Sequence, residues 1–109
     1  MKTEQPILIT SIQAPVDITK NLFIGFNGNI CSANAKSLGV SNADTDADEQ
    51  LPVMAVGIAL VYSGAAVSQG NKVASDASGK AVNYSTGDYN GYALDASTGA
   101  DELIRILLV

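Results

Sequence analysis

Apolar and polar residues alternate over short distances along the chain, and glycine, asparagine, aspartate and serine separate the apolar runs. Short alternating segments bounded by such residues are typical of β-strands joined by tight turns. In the second half of the chain the turn signals lie roughly ten residues apart, at Ser63-Gly64, Gln69-Gly70-Asn71, Asp76-Ala77-Ser78-Gly79, Thr86-Gly87-Asp88 and Ser97-Thr98-Gly99. This spacing predicts an all-β fold, either a small β-barrel or a sandwich of short antiparallel strands.

Residues 1–12 predict an extended N-terminal arm, followed by a single β domain over residues 13–109. Ile7 and Ile9 alternate with other residues as in a strand, and Pro6, which has no N–H, restricts that strand to the edge of a sheet. An extended arm can add a strand to an exposed sheet edge of another protein, where main-chain hydrogen bonds supply the affinity. We therefore expect the arm to form a binding surface that consists of Thr3, Gln5, Pro6, Ile7, Leu8 and Ile9.

The segment from Leu22 to Ala33 contains the strongest local signal, two apolar runs separated by Asn27-Gly28. Asn-Gly favours the left-handed dihedral angles of a two-residue hairpin turn. Such a turn places Cys31 opposite Ile24, on the face that Leu22 and Phe26 share, so Cys31 is expected to be a core residue.

From Pro52 to Tyr62 large and small residues alternate, which predicts a buried strand with two unlike faces. The large residues are Met54, Val56, Ile58, Leu60 and Tyr62, and we expect them to fill the core. The small residues Ala55, Gly57 and Ala59 lie on the other face, which admits close approach of a second layer or of a partner chain. The apolar window from Leu51 to Val67 is shorter than the roughly 20 residues of a membrane-spanning helix, which favours the strand.

The last apolar run, from Leu103 to Val109, predicts a closing strand that a neighbouring strand must cover. Ile104, Ile106 and Leu108 share one face of this strand. Arg105 lies on the opposite face, where we expect it to pair with a structural carboxylate.

Composition narrows the classes of function. Hydrophobic residues make up 47% of the 109 residues and charged residues 16%, which is enough apolar surface to fold around one core. The net charge of −5 and the absence of any Lys or Arg cluster argue against nucleic-acid binding. The N-terminal residues do not resemble a signal peptide. The single cysteine cannot form an intramolecular disulfide, so a reducing cytoplasm is a suitable place to fold.

Candidate catalytic and metal-binding groups are few. There is no histidine, which removes the commonest general base and imidazole ligand. The acidic segment Asp44-Thr45-Asp46-Ala47-Asp48 resembles the start of a calcium loop, but Glu49 replaces the required glycine and Ala55 the closing glutamate. We interpret it as a solvated loop. Four other carboxylates stand beside small turn residues and are expected to cap turns, namely Asp76, Asp88, Asp95 and Asp101.

These observations predict a protein with no catalytic residue, no cofactor and no metal. The class of function that remains is binding, and it has two alternatives. One is a structural component that holds protein surfaces together. The other is a small ligand-binding or carbohydrate-binding β-module that would use Tyr84, Tyr89 and Tyr92 as stacking platforms.

From about Val53 onward the order of small-residue motifs resembles the phage capsid cement, or head decoration, family. The motifs are the small-residue turn and strand of 63–73, the Asp-x-x-Gly turn of 75–82, the Gly-x-Ala-Leu strand of 91–96 and the closing apolar strand of 103–109.

The resemblance implies a β-barrel-like domain that binds the outer surface of the assembled major capsid protein shell and reinforces it. It implies no cofactor and no active site, and the charge and the short apolar window predict neither a nucleic-acid partner nor a membrane partner. The expected location is the exterior of the virion capsid, after synthesis in the host cytoplasm. The arm residues are then expected to bind the capsid, and a homotrimer is the expected assembly, with a dimer as the rival.

Overall fold

The computed structural model describes residues 2–109, and these residues form eight β-strands and no helix. Met1, the first residue of the predicted arm, lies outside the described residues. The strands are β1 (Gln5–Gln13), β2 (Phe23–Ile24), β3 (Gly39–Ser41), β4 (Gln50–Tyr62), β5 (Lys72–Ser75), β6 (Ala81–Asn83), β7 (Gly91–Ala93) and β8 (Leu103–Leu108).

Seven strands form one antiparallel sheet in the order β2-β3-β4-β8-β7-β5-β6, and β1 pairs with β4 outside this path. The two ends of the path meet, because the N–H of Phe23 in β2 donates to the carbonyl of Gly79, just before β6, at 2.7 Å. The sheet therefore nearly closes into a barrel. The predicted all-β class is confirmed.

The long strand β4 holds the barrel together, and it changes faces part of the way along. Ala55 has no partner in β1, although Met54 pairs with Ile9 and Val56 with Leu8. An extra residue of this kind is a β-bulge, and it turns the following side chains to the opposite face. Met54 and Val61 consequently share the main core, although strict alternation would separate them.

The predicted faces of this strand are therefore wrong beyond the bulge. Ala59 is 1% exposed and packs in the main core, whereas Val56 is 43% exposed. Ile58 and Leu60, expected in the core, are half-buried on the outer side of the sheet. The sequence pattern carries no sign of the bulge, because Ala55 fits either face.

The hairpin at Asn27-Gly28 forms with a different loop from the one predicted. The N–H of Gly25 donates to the carbonyl of Asn29 at 2.8 Å, which leaves three residues in the loop. Gly28 has φ 87° and occupies the left-handed position that such three-residue loops require. The register therefore pairs Ile24 with Ile30 instead of Cys31. Phe26, expected beside Cys31, is 64% exposed, but the prediction that Cys31 is buried is confirmed.

Two apolar clusters lie on opposite faces of the first half of β4. The main cluster fills the barrel and consists of Phe23, Cys31, Val40, Met54, Ala59, Val61, Val67, Val73, Ala81, Ala93, Ile104 and Ile106. The smaller cluster lies under the segment that follows β1 and consists of Ala14, Ile18, Ile24, Leu51 and Val53.

The closing strand β8 lies between β4 and β7, as its apolar sequence requires. On its outer face Arg105 donates from Nε and Nη2 to the two carboxylate oxygens of Asp95, each at 3.0 Å. The Arg105 N–H also donates to Asp95, at 3.0 Å. The predicted pairing of Arg105 with a structural carboxylate is confirmed.

The apolar window that begins at Leu51 folds largely into strand β4. Among residues 2–109 there is no helix with the length and apolarity needed to cross a membrane.

Candidate interaction surface

Strand β1 differs from every other strand in its exposure. Eight of its nine residues are exposed and the ninth, Ile12, is half-buried. The exposed fraction is 80% for Ile7, 51% for Leu8 and 43% for Ile9, large values for apolar side chains in a regular strand. A contiguous exposed apolar segment of this kind marks a contact surface more often than isolated apolar residues do.

The outer edge of β1 is open. Within residues 2–109, β1 pairs with β4 and with no other strand. Ser11 lies opposite Pro52, which has no N–H, so this pair cannot exchange two main-chain hydrogen bonds. Ser11 therefore directs its N–H and C=O away from β4, and because the pattern repeats every second residue, Ile9 and Gln13 do the same.

The second half of β1 carries none of the features that usually protect a sheet edge from a further strand. Edge strands are usually guarded by charged side chains, prolines or bulges. No charged residue occurs between Gln5 and Gln13. Pro6 and the irregular pairing around Ile7 interrupt the first part of the strand, but the pairing from Ile9 onward is regular. The second half of β1 therefore forms a flat, uncharged edge.

The residues that the sequence predicts as a binding surface lie along this strand. Gln5, Pro6, Ile7, Leu8 and Ile9 form its first half, and Thr3 is exposed just before it. Ser11, whose main-chain groups also face outward, was not among the predicted residues. Pro52 indicates which main-chain groups of β1 face outward, but only once the pairing of β1 with β4 is known.

A group of exposed carboxylates borders the C-terminal end of β1. Ala14 follows the strand and connects to the acidic loop, since its N–H donates to the Glu49 carbonyl at 2.9 Å and its carbonyl accepts from the Asp48 N–H at 2.6 Å. We call the following set the acidic cluster: Asp17, Asp44, Asp46, Asp48 and Glu49, all exposed. Five of the eleven acidic residues therefore lie near one end of the open edge.

Two members of the acidic cluster have structural duties. Asp44 Oδ1 accepts the Lys20 N–H and Asp17 Oδ1 accepts the Ala47 N–H, both at 2.8 Å. These bonds attach the loop to the segment that follows β1. Over the described part of the chain, no group of three or more metal-ligating side chains is arranged to hold an ion.

A second apolar surface, the outer sheet face, continues from β1 across the barrel. It consists of Leu8, Val56, Ile58, Leu60 and Leu107. Strand pairing makes it continuous, because Leu8 lies opposite Val56 and Ile58 lies opposite Leu107. The charge of Arg105, opposite Leu60, is balanced by Asp95, so this face carries little net charge.

The three tyrosines considered as sugar platforms pack against one another. The rings of Tyr84 and Tyr89 lie 5.7 Å apart at 71°, and those of Tyr89 and Tyr92 lie 5.9 Å apart at 70°. Lys72 Nζ lies over the Tyr84 and Tyr89 rings, at 5.7 Å and 4.7 Å from their centroids. Edge-to-face packing and a covering ammonium group leave no flat pair of rings for a sugar.

Three of the four carboxylates considered for catalysis are held in structural roles. Asp76 Oδ1 accepts the N–H groups of Ser78 and Lys80, both at 2.9 Å, and so closes a turn. Asp101 pairs with Lys80. The hydrogen bonds from Arg105 lower the pKa of Asp95 to about 2, so this carboxyl stays ionised at neutral pH. Asp88 is exposed, and its N–H donates to the Asn34 carbonyl.

Cys31 lies in the wall of a surface cavity of about 520 Å³ that is also lined by Phe26, Ile30 and Lys36. Its Sγ lies 3.4 Å from the Ala35 carbonyl oxygen, and burial raises the pKa of the thiol. A buried, protonated thiol is a poor nucleophile.

Comparison with known proteins bears on the use of these surfaces. A family model described as phage cement protein matches residues 1–108. Among solved structures, the fold is similar to the N base of the head fiber gp8.5 in bacteriophage phi29, with a TM-score of 0.78 over 94% of this chain and 93% of that chain. The two sequences are 14% identical, so this likeness concerns the fold alone. No curated protein matches the chain.

Proposed function

The chain belongs to the phage cement protein family, and from that premise we propose that it binds the outer surface of the assembled major capsid protein shell and reinforces it. The role is one of binding without catalysis. Many copies of a small domain, each making a modest contact between capsid subunits, brace a shell collectively, because repeated weak contacts add their free energies. The proposed location is the exterior of the capsid, after synthesis in the host cytoplasm.

The exposed strand β1 is the observation that carries this proposal. In the proposal, residues 1–12 act as a binding arm and residues 13–109 as the body. The arm residues that contact the capsid are Thr3, Gln5, Pro6, Ile7, Leu8 and Ile9. Complete burial of one Ile or Leu side chain stabilises a complex by about 1.5–3 kcal/mol. The apolar surface that Ile7 and Leu8 expose is thus sufficient for a modest contact at each copy.

The proposed assembly is a homotrimer whose subunits meet through the part of the outer sheet face that Val56, Ile58, Leu60 and Leu107 form. Two copies that each carry a charge of −5 repel one another, and contact is easiest where the surface is apolar and its charge is balanced. A closed ring leaves no open interface and suits the threefold positions of an icosahedral shell. Light scattering after gel filtration should give three times the 11.2 kDa of one chain. Leu107→Arg should give the monomer, and a mass of two chains would favour the rival dimer.

The function is tested with phage heads that lack this protein. Purified protein is mixed with DNA-filled heads and sedimented, and the heads are then heated while DNA release is followed with a dye. We expect the protein to sediment with the heads and to raise the temperature of DNA release. Absence of the protein from the head pellet at micromolar concentration would refute the proposal.

A pair of variants tests the contribution of the arm. Ile7→Ser with Leu8→Ser removes exposed apolar surface from β1 and should weaken head binding about 10- to 100-fold. Phe26→Ser is the matched control, because Phe26 is also exposed, at 64%, but lies at the tip of the hairpin. Equal loss of binding in both variants would show that general surface apolarity, and not β1, carries the contact.

A further inference from the structure

We propose that β1 binds an extended segment of the capsid protein as an added β-strand, and that the acidic cluster selects a segment flanked by Lys or Arg. This inference rests on the proposed function and names the chemistry of its contact. The surface is the open edge of β1 from Ile9 to Ser11, since beyond it the Gly28 backbone packs against the Gln13 carbonyl oxygen.

The main-chain groups of this edge are suited to pairing with another strand. Ile9 and Ser11 direct their N–H and C=O groups away from β4, as the pairing of Ser11 with Pro52 requires. The register with β4 is regular over these residues, so the outward groups follow the spacing of an ordinary strand. Since the remaining strands form a nearly closed barrel, an added strand extends the sheet at β1 without disturbing the core.

The charges around the edge identify the occupant as a different polypeptide. The acidic cluster borders the C-terminal end of β1, and within residues 2–109 Asp46, Asp48 and Glu49 are exposed and take part in no ion pair. A strand that docks here therefore meets uncompensated negative charge, which attracts flanking basic residues and repels acidic ones.

A second copy of this chain does not meet that requirement. Its six basic residues are scattered, at Lys2, Lys20, Lys36, Lys72, Lys80 and Arg105. Lys80 and Arg105 are already paired with Asp101 and Asp95. With eleven acidic residues and no basic cluster, a second copy is repelled at this edge, so the capsid protein is the complementary source.

A proline substitution tests the main-chain contact. Ser11→Pro removes the outward N–H and places a ring at the edge, while the inward hydrogen bonds of Thr10 and Ile12 stay intact. Head binding should fall at least 10-fold. Ser11→Ala, which keeps the N–H, is the matched control and should bind as wild type does. Thermal unfolding of both variants without heads verifies that they fold.

Amide hydrogen exchange of the wild-type protein gives a second measurement that does not depend on the folding of the proline variant. The protein is exchanged on and off heads, quenched, released and read by NMR. Binding should slow exchange of the N–H groups of Ile9 and Ser11 at least 10-fold. The N–H groups of Thr10 and Ile12, which face β4, are already protected.

The charge selection is tested by removing three carboxylates that have no structural bond. The triple variant Asp46→Asn, Asp48→Asn, Glu49→Gln should bind heads about 3- to 10-fold more weakly at low salt, because it removes three negative charges that attract flanking basic residues. The difference in head affinity between the triple variant and wild type should disappear at high salt. Asp88→Asn, an exposed carboxylate on another loop, should bind as wild type does.

The possible outcomes separate the two proposals. Failure of wild-type protein to bind heads would overturn the proposed function itself. Head binding by a folded Ser11→Pro protein at wild-type affinity, with no protection of the outward N–H groups, would overturn strand addition alone. Wild-type affinity in the triple variant would overturn the charge selection. A wild-type oligomer that Ser11→Pro dissociates would identify a second copy as the occupant and overturn the assignment to the capsid protein.

Discussion

Replacing Asp95 by Asn should destabilise the protein at neutral pH and have no effect at strongly acidic pH. Asp95 accepts two hydrogen bonds from the Arg105 guanidinium and one from the Arg105 N–H, and these bonds lower its pKa from 3.8 to about 2. The Asp95 side chain is 17% exposed and that of Arg105 is 35% exposed, so water screens the pair in part. A pKa shift of this size corresponds to at most about 2.4 kcal/mol, which screening reduces to about 1–2 kcal/mol.

The sign of the pH dependence follows from the linkage between protonation of Asp95 and folding. Because the folded pKa lies below the unfolded one, this stability is fully present above about pH 4 and is lost as the pH falls through about 2. Urea unfolding at pH 7 should show Asp95→Asn to be less stable than wild type by about 1–2 kcal/mol, and the difference should shrink to near zero at pH 2. Asp88→Asn, which has no such partner, is the control. A deficit of Asp95→Asn that persists unchanged at pH 2 would show that the ion pair is not its cause.

Further predictions concern packing and the buried thiol. Gly39→Ala should be strongly destabilising, because its Cβ would collide with the Met54 carbonyl oxygen, whereas Gly99→Ala meets no atom within 4 Å and should have little effect on the thermal midpoint. Ile106→Ala should lower the free energy of unfolding by about 2–5 kcal/mol, because Ile106 is buried in the core. Leu107→Ala, on the outer face, should lower it by less than about 1 kcal/mol. Equal losses in urea unfolding would contradict the assignment of faces in β8. Iodoacetamide should alkylate Cys31 far more slowly in the native protein than in urea at pH 8, because the thiol is buried and its pKa is raised; equal rates would contradict that burial.

Local patterns predicted those parts of the fold that depend on neighbouring residues. The Asp76 turn and the closing strand could be predicted from the sequence, because each depends on interactions between residues a few positions apart. The pairing of Arg105 with a carboxylate was also readable, since a charge on the outer face of an apolar strand requires a counter-charge. The sequence did not predict which of the candidate carboxylates pairs with Arg105, because the pairing of β7 with β8 is what brings Asp95 to it.

Neither the strand register nor the β-bulge was predicted from the sequence. A single extra residue at Ala55 exchanged the faces of β4 and placed Val56 outside and Ala59 in the core. One further residue in the Asn27-Gly28 loop shifted the hairpin so that Ile24 pairs with Ile30. Both outcomes depend on which register packs best over the whole sheet, a comparison that alternation within one segment cannot make.

The sequence by itself determined that the chain is all-β, that it contains no histidine, and that its first apolar segment is extended and uncharged. These properties are sums over residue types or over immediate neighbours. Only the tertiary structure decided that Gln5–Gln13 lies along β4 with an open outer edge, and that the acidic loop stands at the end of that edge. The physical reason is that an edge is defined by the strands that are absent beside it, and strand neighbours distant in sequence are chosen by the packing of the whole barrel.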